Sequence, residues 1–184
     1  MKQVVIKFGL ISGVVIGLCL MVVFTLTQKF NMGHSLITGY ATMVLGFSVV
    51  YFGVRSYRDN HLQGRITFGK AFKTGILISL ITCVFYVAAW EIMFFSGMVG
   101  DFEKTYSESV IAKTKASGAS QAKIDATIAE MNHFAEMYRN PLYNSAMTFL
   151  EPLPVALLTS LIAAFALSRR RKDAAASGIA ARAT

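Results

Sequence analysis

Two carboxylates stand where carboxylates are costly. Glu91 and Glu151 each lie inside a long apolar run, a few residues from one end of it. Charged groups within a bilayer face the interior of a helix bundle or a wet cavity. If both runs are helices normal to the membrane, the two side chains share a depth of about 6–9 Å below one interface. Glu151 is followed by Pro152 and Pro154. Their missing N–H groups would free the carbonyls of Thr148 and Leu150. A carboxylate beside loosened carbonyls resembles the broken helices that hold cations in transporters. Trp90, Tyr40 and Tyr86 fall near the same level as donors or packing groups. The same residues also admit a plainer reading. Prolines in a first helical turn cost little, and Glu151 is then an acidic residue favoured by the helix dipole. Glu91, near a helix C-terminus, takes a cation from Lys29, His34 or Arg139. Two carboxylates at close range would also keep one of them protonated.

No other chemistry is visible. His34, His61 and His133 lack metal-ligand spacing, and no phosphate-binding loop or nucleophile elbow occurs. Cys19 and Cys83 lie in apolar runs, where free cysteine behaves as a small apolar residue. The expectation is a chain that is not an enzyme and holds no metal and no cofactor. A net charge of +8 would raise nucleic-acid binding in a soluble protein. Here the basic residues flank the apolar runs, so they read as topology signals and no nucleic acid is expected.

The elements that must position the carboxylates are membrane spans. Of 184 residues, 54% are hydrophobic and 15% charged. The apolar residues form unbroken runs of about 18 or more, the length of a membrane span rather than of a core helix. Four spans are expected, at about 8–27, 35–54, 71–95 and 145–167. The first is too long for the core of a cleaved signal and reads as a helix that stays. A polar, basic loop is expected from Arg55 to Lys70. Residues 1–172 form one membrane domain, and the Ala-rich segment 173–184 reads as a disordered cytoplasmic tail. Twelve of the 18 Lys and Arg residues fall on the side that holds both termini, which places that side in the cytoplasm. The partner implied first is therefore the lipid bilayer, and the location a bacterial inner membrane.

Helix association in lipid relies on close backbone approach and on buried polar contacts. Gly9, Gly13 and Gly17 repeat every four residues in the first span. Ala71, Gly75, Ser79 and Cys83 do so in the third, and Ala156, Ser160 and Ala164 in the fourth. Gly39, Gly46 and Gly53 recur every seven in the second. These seams suit packing within one chain or between copies. Between the third and fourth spans, Phe102, Tyr106 and Val110 form one helical stripe; Ile124, Ile128, Met131, Ala135 and Tyr138 form another. Gly118 and Ser120 suit a helix end and a new N-cap. The segment 101–140 is thus expected as an external helical hairpin, whose stripes face each other, the membrane or a partner.

Several segments together resemble a family. They are Gly64-Arg65-Ile66-Thr67-Phe68-Gly69-Lys70-Ala71-Phe72, then Tyr86 and Trp90-Glu91. Ala116-Ser117-Gly118-Ala119-Ser120 and Tyr138-Arg139-Asn140-Pro141-Leu142 follow. Last comes Thr148-Phe149-Leu150-Glu151-Pro152-Leu153-Pro154-Val155. In this order they resemble the bacterial membrane proteins grouped as domain of unknown function 4199. The resemblance implies four spans with an external insert before the last, and it implies no activity. The expected fold is an all-α integral membrane protein, a four-helix transmembrane bundle with an extracytoplasmic helical hairpin between spans 3 and 4. The expected role is a non-enzymatic scaffold or interaction protein, a homo-oligomer or a binder of a membrane-protein partner through the hairpin. The alternative is a small proton- or cation-coupled transporter using Glu91 and Glu151.

Overall fold

The computed structural model describes residues 1–30 and 36–168, and every element among them is helical. The helices are α1 (Lys2–Lys29), α2 (Leu36–His61), α3 (Phe68–Phe95), α4 (Phe102–Ala116), α5 (Gln121–Tyr138), α6 (Pro141–Leu150) and α7 (Leu153–Ser168). His34, Ser35, the Arg169–Lys172 cluster and the 173–184 tail lie outside the described residues. Three segments are long and apolar enough to cross a membrane: Lys2–Thr27, Phe68–Phe95 and Pro141–Ser168. The last joins α6 and α7. At 1.5 Å per residue each of the three reaches about 40 Å, more than the hydrocarbon thickness. The chain is a membrane protein on this ground. α2 is as long as they are, with 26 residues. Its last two turns carry Arg55, Arg58 and Asp59, which lower its hydropathy.

Two boundaries differ from the sequence-based expectation. The loop expected at Arg55–Lys70 is mostly helix. α2 continues to His61, with Asp59 paired to Arg55 at 3.5 Å and to Arg58 at 2.6 Å. Such short-range pairs stabilise a polar helical turn beyond an apolar run. Gln63 and Gly64 then take positive φ, and Thr67 caps the start of α3. The expected span 145–167 begins earlier and is not continuous. Asn140 accepts from the Leu142 N–H, and Pro141 opens α6. α6 ends at Leu150, and α7 restarts at Leu153 after Glu151 and the fully buried Pro152. Pro152 lacks the N–H that would continue the helix.

The registers of the packed helices follow from which residues meet. A Cβ added at Gly9 would touch Ile81, one at Gly13 would enter the Phe85 ring, and one at Gly17 would lie 3.5 Å from Ala89. Both numbers rise together, so α1 and α3 run parallel. Ile16 meets Gly46 and Phe8 meets Gly53, so α1 and α2 run antiparallel. Ser12 Oγ fixes that crossing by donating to the Gly46 carbonyl at 2.8 Å. On its other side α3 packs on α7, where Gly75 and Ser79 both meet Ser160. α2 also packs on α7. Among the described residues nothing lies within 4 Å of a Cβ at Gly39, so the seven-residue glycine row of α2 makes two close approaches to them, at Gly46 and Gly53.

α4 and α5 pack on each other across a turn in which Gly118 has φ +72 and Ser120 caps α5. Their inner faces differ in part from the expected stripes. On α5, Met131 and Tyr138 are buried, as is Thr127. On α4 the buried residues are Glu103 and Ser107, while Tyr106 is 45% exposed. On this α4 face Glu103 Oε1 accepts from Arg139 Nε at 3.0 Å. Phe102 and Tyr106 instead lie against the Tyr138 and Phe134 rings, respectively.

Candidate functional site

The polar groups within the apolar helices form one ladder along the contact of α3 with α6 and α7. Ser79 Oγ lies 3.2 Å from Ser160 Oγ, with either as donor. Tyr86 donates its hydroxyl to Glu151 Oε2 at 3.0 Å. Trp90 Nε1 donates to Asn144 Oδ1 at 3.1 Å, and Thr148 Oγ1 donates to the same oxygen at 3.2 Å. Ser145 Oγ donates to Glu91 Oε1 at 2.7 Å. The α3 numbers rise as their partners' numbers fall, so α3 runs antiparallel to α6 and α7. Each carboxylate therefore accepts a hydroxyl from the facing helix. Interhelical hydrogen bonds in a bilayer contribute about 0.6 kcal/mol each on average, so the ladder fixes register more than it adds stability.

Helical spacing explains how α3 serves three neighbours. At 100° per residue, Ile81, Phe85 and Ala89 form the stripe that meets α1. Ser79, Tyr86 and Trp90 form a second, about a third of a turn away, facing α6 and α7. Val84, Val87 and Glu91 form a third. On α6, Asn144 and Thr148 lie on the inner side and are 0% and 1% exposed. Ser145, Ala146, Phe149 and Leu150 share the other side and, with Val84 and Val87, line an open groove of about 500 Å³.

Above the ladder an aromatic cluster joins α4 and α5 to the ends of α1, α3 and α6. Trp90 meets Phe102 edge-on at 4.9 Å between centroids, and Phe94 meets Tyr138 in the same manner at 5.4 Å. Phe134 lies 5.0 Å from Tyr138. Asn144 Nδ2 ties α6 to this cluster by donating to the Tyr138 carbonyl at 3.2 Å. Burial pushes the Tyr138 phenol up to about 12.

The structure brings Glu91, Glu151, Trp90 and Tyr86 into the ladder. Tyr40 is 52% exposed on α2 and adds no hydrogen bond to it. Glu91 and Glu151 take separate partners on separate stripes. Arg139, one cation considered for Glu91, is paired with Glu103 instead. Gly9, Gly13 and Gly17 lie against α3, and Gly75 and Ser79 lie against α7. Among the described residues no group of His, Cys, Asp and Glu is arranged to hold a metal. Asn144, Ser145 and Thr148 escaped sequence reasoning. Asn144, Thr148 and Glu151 recur at i, i+4 and i+7, a polar stripe that becomes legible once the helix is known to start at Pro141.

Residues 7–169 match the family model described as "Protein of unknown function (DUF4199)". The chain belongs to that family. No curated protein and no solved structure matches it.

Proposed function

We propose that this member of the DUF4199 family is a non-enzymatic scaffold of a bacterial inner membrane. In this reading it crosses four times, with both termini in the cytoplasm and α4–α5 as an external helical hairpin. The fourth crossing is α2. Its support is the parallel register of α1 and α3: two helices that cross in the same direction need the chain between them to return. α2 is about 39 Å long, enough for that return. The excess of Lys and Arg on the side of the termini supports the orientation.

The scaffold role rests on one observation, that each intramembrane carboxylate is taken up by a hydroxyl of the facing helix. The polar groups are thereby used to hold α3 against α6 and α7 and to seat the hairpin on them. The hairpin's outer face then presents Lys104, Glu108, Lys113, Lys123, Glu130 and Glu136, all exposed, to a partner protein or a second copy. A photo-crosslinking side chain at Glu108 or Glu130 in cells should give a discrete adduct of defined mass. A strictly monomeric protein with no adduct at either position would remove this reading. The transport alternative has one supporting feature, the helix break at Glu151 and Pro152. It requires ion flux in proteoliposomes that Glu91→Gln and Glu151→Gln abolish; we expect no such flux.

A further inference from the structure

Glu91 stands apart from the other ladder residues. It shares its stripe with Val84 and Val87, which line the open groove between α3 and α6. The opposite wall is Ser145, Ala146, Phe149 and Leu150. Apart from the Ser145 hydroxyl the lining is apolar, and Val84 and Leu150 are 59% and 57% exposed. Ser145 donates to Glu91 Oε1, and among the described residues no ion pair reaches this carboxylate. Glu91 lies about one turn short of the end of α3 at Phe95, on the side of the membrane that carries α4 and α5. The groove runs from it toward the bilayer centre. An anionic group thus sits about one turn inside the end of α3, within reach of a lipid headgroup, above an apolar groove open to lipid.

We propose that this groove is a lipid site for a phospholipid with a primary ammonium headgroup, its ammonium on Glu91 and one acyl chain along Val84, Phe149 and Leu150. The inference rests on α3 and α6 lying in the membrane. Charge complementarity selects the headgroup. A primary ammonium offers N–H donors to the carboxylate, a quaternary ammonium offers none, and an anionic headgroup is repelled. Glu151 is not part of the site, because it lies on another stripe with Tyr86 as its donor.

Native mass spectrometry of the full chain reads this directly, with phosphatidylethanolamine, phosphatidylcholine and phosphatidylglycerol of identical acyl chains. One charge-assisted hydrogen bond corresponds to about a tenfold preference for phosphatidylethanolamine over the other two. Glu91→Gln should abolish the preference, and Glu151→Gln should keep it. Ala146→Phe, which narrows the groove and leaves Glu91 in place, should reduce retention of all three lipids alike. The proposal is overturned if the native chain shows no preference, or if the preference survives Glu91→Gln. It is also overturned if Ala146→Cys joins two copies by a disulfide in the membrane, since the groove is then an interface between copies. Alkaline carbonate extraction separates the premise from the inference: release of the chain from the membrane refutes the spanning reading itself, whereas a retained chain without lipid preference refutes only the lipid site.

Discussion

The two long seams of α3 hold their partners by different physics. Toward α1 the contact is made by absence: Gly9, Gly13 and Gly17 let Ile81, Phe85 and Ala89 approach the α1 backbone. Toward α6 and α7 it is made by donors and acceptors, from Ser79 and Ser160 up to Glu91 and Ser145. The first seam tolerates no added volume at Gly9 or Gly13, whereas the second, which also has one close approach at Gly75, depends on its hydrogen-bond partners. Lipid offers no hydrophobic gain for helix association, so these are the two means available in a bilayer. The chain uses one on each side of the same helix. The polar seam also meets the α4–α5 pair, through Asn144 and the Tyr138 carbonyl.

Substitutions that exchange these sensitivities test the contrast. The largest effect is expected at Gly13→Ala, whose methyl group would enter the Phe85 ring, at a cost of about 2 kcal/mol. Gly39→Ala is its control. Among the described residues nothing lies within 4 Å of a Cβ at that position, so the change should be neutral or stabilising by up to about 1 kcal/mol. Unfolding by SDS titration in bicelles, followed by circular dichroism, measures both, and equal effects would remove the distinction between packed and open glycines. Asn144→Leu comes next. It deprives Trp90 Nε1 and Thr148 of their shared acceptor and the Tyr138 carbonyl of its donor while keeping the branched outline of the side chain, for about 1–2 kcal/mol. No loss there would mean that the polar seam does not need its acceptor.

A further effect, confined to alkaline solution, concerns pH. The Tyr138 phenol is raised from 10.0 to about 12, chiefly by burial. The folded state therefore holds this proton more tightly than the unfolded state. The resulting stability is fully present below pH 10.0 and is lost as pH rises through about 12. Tyr138→Phe should flatten the fall in that window, as read by the same unfolding assay. An unchanged pH profile would show that the phenol is not held in this way.

Much of this was legible in the sequence, for physical reasons that differ by residue. Small residues every four positions announce a close-packed seam, because only they permit backbone contact; the spacing of Gly9, Gly13 and Gly17 is enough. Which helix they face is not legible, since Ile81 and Phe85 look like any lipid-facing pair. Glu91 and Glu151 stand out because charge in an apolar run is costly. Their partners do not. Asn144 falls just before the expected fourth span, and Ser145 and Thr148 read as its polar first turn, until Pro141 is seen to open a helix. The expected α4 stripe meets α5 only in part, through Phe102 and Tyr106, for a related reason. Periodicity counts apolar residues, and the residue that is buried there, Glu103, is fixed by an arginine 36 positions away.

If α2 crosses the membrane, α1 and α3 cross it in the same direction, as their parallel register requires. Three crossings with α2 on the surface would put the N-terminus and the turn between α2 and α3 on opposite sides. Four put them on the same side. Single cysteines at Gln3, Gln63 and Ser117, in a chain with Cys19 and Cys83 replaced by Ala, decide this with a membrane-impermeant maleimide. With four crossings, the Ser117 position labels in intact cells, and the Gln3 and Gln63 positions label only after the membrane is opened. Gln3 and Gln63 positions that label from opposite sides would contradict four crossings.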